Sequence, residues 1–281
     1  MTPQFVIQAL LIALGSGFLG ALLGLGGGVI MVPLLVFVLG LPIHIAAGAS
    51  IVAVVATSSA SASVYMRAEV TNMRLGMFLA LATTLGAVTG AGLVAGASEA
   101  ALKTVFGATL LYASGVMWHQ MRSTRRSWVP MPNDHVAKRL RLGSSYFDAA
   151  RGEEINYGVS RSLPAFVITY LAGVESGLLG IGGGGINMSA MNAVSSVPMK
   201  AAVATSNFMI GVTAATSALF YIRHGFVDSF VTAPVVLGTL IGSLIGARVA
   251  LRVRGVVIKR VFIVVLLVLG LRMITSGVGL L

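Results

Sequence analysis

Apolar residues in this chain come in long unbroken runs, not in the alternation of a half-buried strand or the stripe of a surface helix. The runs lie at about 3–23, 27–40, 43–66, 75–97 and 102–119, then at about 162–181, 185–197, 198–222, 229–250 and 256–276. Most have the roughly 20 residues that a helix needs to cross a bilayer. The runs at 27–40 and 185–197 are shorter and read as half-helices or tightly constrained crossings. Each follows a glycine run, Gly24-Leu25-Gly26-Gly27-Gly28 in one case and Gly180-Ile181-Gly182-Gly183-Gly184-Gly185 in the other. Consecutive glycines make a poor helix interior, so both runs predict a broken helix. In lipid, a break leaves unpaired N–H and C=O groups, tolerable only against protein or in a water-filled cavity. Matched breaks in two halves of one chain point to a transporter's binding site.

The halves read as one repeat. A shift of 156 residues, without a gap, sets Gly24 and Gly26 to Gly28 on Gly180 and Gly182 to Gly184, Pro42 on Pro198, Ser50 on Ser206 and Thr57 on Thr213. It also sets Tyr65 and Arg67 on Tyr221 and Arg223, and Lys103 and Phe106 on Lys259 and Phe262. Apolar composition alone would not hold prolines, tyrosines and arginines in register. The organisation expected is a first membrane repeat at 1–119, a basic linker at 120–161 and a second membrane repeat at 162–281. The fold class is an all-α polytopic membrane protein with about 8–10 membrane segments, built from two homologous repeats with glycine-broken helices.

Composition agrees with that class. Residues are 57% hydrophobic and 10% charged, against about 25% charged in a soluble domain. No Lys, Arg, Asp or Glu precedes Arg67. Residues 1–5 carry no positive charge, so the apolar start is expected to stay as a membrane segment and not to be cleaved as a signal. The net charge of +11 is not a nucleic-acid surface, because eight Lys and Arg gather at 120–161 and five at 248–260. Basic clusters between apolar segments mark cytoplasmic loops in a cell-membrane protein. With both clusters on one side, each repeat crosses an odd number of times; the halves are then inverted and both termini lie outside. If each glycine hairpin is instead one broken span, the repeats run parallel; inversion is the reading favoured. The absence of cysteine excludes disulfides and thiol chemistry. The linker, with Arg125-Arg126, Pro130, Pro132 and an amphipathic stretch at 135–142, reads as a solvated topology determinant near anionic lipid, with a regulatory contact as the alternative.

The candidate site is built around the two breaks. Gly26, Gly27, Gly28, Gly183, Gly184 and Gly185 precede helix starts, where unpaired N–H groups and the positive dipole end favour anions. Neither glycine run has the Lys-Ser/Thr of a phosphate loop or the strand of a dinucleotide fold. The bland alternative is close helix packing. Glu175 is an acid inside an apolar run, where a charge is expensive; it reads as a proton-coupling carboxyl or as a structural one. Lys200 lies in the first turn after Pro198, against the helix dipole, and either snorkels to the interface or serves an anion. Thr205, Ser206 and Asn207 follow, with Ser50 matching Ser206 and His44 standing where the second half has Lys200; hydroxyls in membrane helices more often bond their own backbone. Asn187 follows the second break where the first half has Met31. The stripes Gly86/Gly90 and Gly238/Gly242/Gly246 read as packing faces, and Tyr65, Arg67, Tyr221 and Arg223 as interfacial anchors.

At Gly177-Leu-Leu-Gly-Ile-Gly-Gly-Gly184 followed by Pro198, Lys200, Thr205 and Ser206, and at the weaker copy Gly24 to Gly28 with Pro33, Pro42, Gly48 and Ser50, the chain resembles the sulfite exporter TauE/SafE family of membrane permeases. The resemblance covers nearly all of the chain outside 120–161. It implies export or uptake of a sulfur-containing anion such as sulfite or an organosulfonate, with export the direction expected here. Gly185, Asn187, Ser189 and the long basic linker depart from the family pattern. The function expected is a secondary transporter of a small anion by alternating access, coupled to protons through Glu175. An anion channel or a non-transporting membrane scaffold or sensor are the alternatives, and nothing supports an enzyme, a metal or a cofactor. The partners expected are the anion and the bilayer, with a homodimer open and no nucleic acid.

Overall fold

The computed structural model describes residues 3–123, 131–148, 152–252 and 256–279. Its membrane part is helical: α1 (Pro3–Leu23), α2 (Gly28–Leu39), α3 (Ile43–Arg67), α4 (Met73–Val94) and α5 (Glu99–Ser123), then α7 (Ser162–Leu179), α8 (Gly184–Ser189), α9 (Met199–Arg223), α10 (Ser229–Arg252) and α11 (Val256–Gly277). Helices α1, α3, α4, α5, α7, α9 and α10 are each long and apolar enough to cross a membrane. Between the halves lie α6 (His135–Leu140) and the antiparallel strands β1 (Ser144–Asp148) and β2 (Glu153–Tyr157).

Punctuation in the sequence sets the boundaries. Both α1 and α7 stop at glycines whose φ is positive, Gly24 at +73° and Gly180 at +70°, a conformation open to glycine at little cost. Both α3 and α9 start directly after a proline, Pro42 and Pro198, with the same angles, φ −55° and ψ 141°. A proline there loses no hydrogen bond and comes with its φ already set. The second half departs from the first after α8, which continues as a π-helical turn, Ala190–Val194, and ends at Ser196 with φ +58°. The first half has Gly40 at that place, at φ +66°.

Packing joins the halves crosswise. Helix α1 lies along α10, α4 along α7, α5 along α11, and α3 against both α9 and α10. The glycine stripes are the contact faces expected. A Cβ added at Gly238 would lie 2.5 Å from the Leu10 carbonyl oxygen, and one at Gly17 would lie 2.6 Å from that of Thr239. Gly86 and Gly90 meet the Tyr170 and Val174 carbonyls in the same way. In lipid, apolar burial does not drive helices together, so close backbone approach supplies the contact.

One reading needs correction, and one gains detail. Tyr65 and Tyr221 are not interfacial anchors: both are buried, and their hydroxyls donate to the Ala21 and Leu178 carbonyls at 3.0 Å. They satisfy acceptors near the ends of α1 and α7, where a helix leaves carbonyls unpaired. The linker, for its part, is folded and docked where described. Asp134 accepts from Ala137 N–H (2.7 Å), capping α6, and from Ser162 N–H (2.6 Å) and Ser162 Oγ (3.1 Å) at the start of α7. Burial pushes its carboxyl up, but these hydrogen bonds outweigh it and hold the group below the ordinary 3.8. Arg125, Arg126, Pro130 and residues 253–255 of the second basic cluster lie outside the described residues.

Candidate functional site

The two breaks meet in the interior. A Cβ on Gly28 would lie 2.9 Å from Ile181 Cα, and one on Gly184 would lie 2.6 Å from the Gly24 carbonyl oxygen. Val54 and Ile210, which the 156-residue shift pairs, both press on Gly26 and on Gly182. Each serine of the repeat reaches across to the other half. Ser50 Oγ donates to the Gly180 carbonyl at 3.0 Å, and Ser206 Oγ to that of Gly24 at 3.0 Å, with Gly184 O at 3.2 Å. These hydroxyls hold the broken strands of backbone together and are already engaged. Neither helix start is capped by a side chain: the N-caps Gly27 and Gly183 are both left-handed and make no such bond. The first-turn N–H groups of α2 and α8, at Gly28 and at Gly184 and Gly185, therefore have no intrahelical acceptor and no cap.

The environments of the two starts differ. Beside the second break is a small cavity lined by Glu175, Gly183, Gly184 and Gly185, with Thr109 and Tyr112 of α5 opposite. Its volume, measured for the centre of a water-sized sphere, is about 20 Å³, room for about one water. Thr109 is the side-chain hydrogen-bond partner of the Glu175 carboxyl, and Oε2 of Glu175 is buried without a partner. Asn187, one turn into α8, is fully buried, and neither its Oδ1 nor its Nδ2 has a partner. Ser176 Oγ is in the same condition. At the matching places the first half has Leu19, Met31 and Gly20. Buried polar atoms without partners are rare and cost roughly 1–3 kcal/mol each.

The remaining candidates lie elsewhere. Lys200 neither snorkels free nor faces the breaks: its Nζ donates to Asp148 Oδ1 of β1 at 2.5 Å. Thr205 Oγ1 accepts from Asn72 N–H at 3.0 Å. Asn207 Nδ2 donates to Val203 O (3.0 Å) and Ala21 O (3.4 Å), while its Oδ1 accepts from Ser61. The glycines, Ser50, Ser206 and Asn207 thus frame the breaks, Glu175 and Asn187 carry the unpaired groups beside them, and Lys200 and Thr205 belong to the linker side. Sequence reasoning missed Thr109 and Tyr112, for which a single polar residue in an apolar helix gives no signal. It also missed Val54 and Ile210, although the repeat register pairs them.

Comparison with known proteins follows the same line. The family described as Sulfite exporter TauE/SafE matches residues 9–273. A probable membrane transporter protein of Bacillus subtilis, YunE, is 25% identical over 98% of this chain and 99% of its own length. A probable membrane transporter protein of Xylella fastidiosa is 27% identical over 83% of this chain and 81% of its own. No solved structure matches the chain.

Proposed function

We propose that this chain, which belongs to the sulfite exporter TauE/SafE family of membrane transporters, carries a small oxyanion of the sulfite or organosulfonate class, with the anion held at the second glycine break and a proton taken by Glu175. The observation that carries the reading is the cavity there, lined among apolar residues by the uncapped start of α8 and by Glu175, whose Oε2 has no partner. The N–H groups favour an anion. A charged carboxylate beside it would oppose it, since two unit charges about 5 Å apart repel by about 3 kcal/mol at an effective dielectric constant of about 20. That is roughly a hundredfold in affinity. The anion therefore enters with a proton on Glu175, and the two travel together.

The cavity holds about one water, and a sulfonate with its several heavy atoms needs more room. Binding thus requires the breaks to part, which is the movement of an alternating-access carrier and not of an open pore. Inverted repeats would place that movement between the halves, with the linker on the cytoplasmic side. Lys200 is left out of the anion site because Asp148 already neutralises it. Counterflow of labelled sulfite, sulfoacetate, taurine and sulfate in proteoliposomes tests the reading. Exchange of at least one sulfur oxyanion is expected; no exchange of any of the four would overturn it.

A further inference from the structure

Besides the Asp134–Ser162 contacts, the folded linker is tied to the second half directly at two points and, through Asn72 of the first half, at a third. Ser160 N–H donates to the Ser195 carbonyl at 3.2 Å, and Ser160 Oγ reaches Ser196 Oγ at 3.5 Å, at the end of the π-helical turn. Asp148 of β1 pairs with Lys200 at the start of α9. Asn72 Nδ2 donates to the Leu142 carbonyl and to the Tyr157 hydroxyl, while its own N–H donates to Thr205. The adjoining residue on α9 is Ser206, which holds both breaks.

Apolar packing follows the same path. Ala137, Leu142, Tyr146, Tyr157 and Val159 of the linker share one buried cluster with Met188 and Met191, on the helix that leaves the second break. That helix is the strained one. It ends in a π-helical turn, a feature frequent at functional sites, and at a serine in the left-handed region. A non-glycine residue there is held in place by its surroundings. The corresponding end in the first half is Gly40, exposed and with open space where a Cβ would lie, and His44 stands in place of Lys200.

We propose that α6 and the β1–β2 hairpin form a latch on the second half. While docked, they hold α8 and the π-helical turn in the strained arrangement and keep the linker side of the cavity shut. When the Asp148–Lys200 pair parts, the turn relaxes, α8 moves, and the cavity opens on that side. The latch rests on the transport reading, as the regulation of the same site, but its test needs no substrate.

Amide hydrogen exchange of residues 183–197, followed by mass spectrometry on the protein in lipid nanodiscs, reads the latch directly. Asp148→Asn should raise exchange there at least tenfold over the parent chain. Ser160→Cys with Ser196→Cys gives a disulfide across the contact, unambiguous because the chain has no other cysteine. Oxidised in the Asp148→Asn background, it should return exchange to the parent rate; in the otherwise native chain it should slow exchange further, a comparison that holds even if Asp148→Asn folds poorly. Parent-like exchange in folded Asp148→Asn, or exchange unaffected by closing the disulfide, would overturn the latch. Failure of every anion in counterflow would instead strike the transport reading and leave these rates unchanged.

Discussion

At the first break α1 ends at Leu23 and α2 restarts at Gly28; at the second α7 ends at Leu179 and α8 restarts at Gly184. Both restarts have a left-handed glycine N-cap without a side-chain bond, both rest on Val54 and Ile210, and each is held by a serine from the other half. The polar residues around the breaks are not shared. Where the second break has Glu175, Ser176 and Asn187, the first has Leu19, Gly20 and Met31. Only the second continues into a π-helical turn with a linker docked on it. The frame is thus doubled, while the unpaired carboxyl and amide occur beside the second break alone among the described residues; on the transport reading proposed above, the frame supplies the hinge and the second half the ligand groups.

The largest effect expected is all-or-none and concerns how the halves are oriented. Glu69 and Gly225, both exposed, are equivalent under the 156-residue shift. Single cysteines there, in a chain without native ones, should react with an impermeant reagent from opposite sides of the membrane. Labelling from the same side would make the repeats parallel and break the inverted comparison.

Next in size is the shared frame. Gly26 and Gly182 have φ of +78° and +84°, and a Cβ at either lies 3.1 Å or 2.7 Å from Ile210 Cγ2. Left-handed strain of roughly 1–2 kcal/mol and overpacking of about 1–3 kcal/mol add up in both. Gly26→Ala and Gly182→Ala should therefore each lower unfolding stability by about 2–5 kcal/mol, with Gly182→Ala the worse. Tolerance of one alone, measured by denaturation in detergent, would mean that the frame is not shared.

A smaller effect separates the two breaks. Asn187→Met installs the first half's residue and removes two unpaired buried atoms, so stability should rise by about 1 kcal/mol. Anion affinity should fall about fivefold, the same free energy read as binding. Lower stability with unchanged affinity would make Asn187 structural. The smallest effect is on the linker. Asp134 is held below 3.8 by hydrogen bonds to its charged form, so its contribution is present above that value and lost as pH falls through the lower folded one. Exchange of amides in 153–161 should quicken only below about pH 4, and Asp134→Asn should flatten that change.

Much of the fold was legible because glycine, proline and length carry it. The run read at 43–66 is α3 at Ile43–Arg67, and the short runs after each glycine break are α2 and α8 with its π-helical turn. The hairpin was not legible. Its strands have five residues each, and the inward Tyr146 and Asp148 flanking outward Phe147 are too short an alternation to stand out in a basic segment. At the site, Glu175 and Asn187 were visible as polar residues in apolar surroundings, whereas the partner of Lys200 was not, because Asp148 is distant in sequence and belongs to that hairpin. Tyr65 and Tyr221 were misplaced because aromatic residues near helix ends suggest an interface, and only tertiary contact shows a buried hydroxyl finding a carbonyl.

If the second break holds an anion, its entry is coupled to a proton on Glu175. Proteoliposomes containing Glu175→Gln, loaded for counterflow and then placed under an imposed pH gradient, test it most directly. Anion exchange should survive, since glutamine resembles the protonated carboxyl, and accumulation driven by the pH gradient should disappear. Accumulation on the gradient undiminished in Glu175→Gln would contradict it.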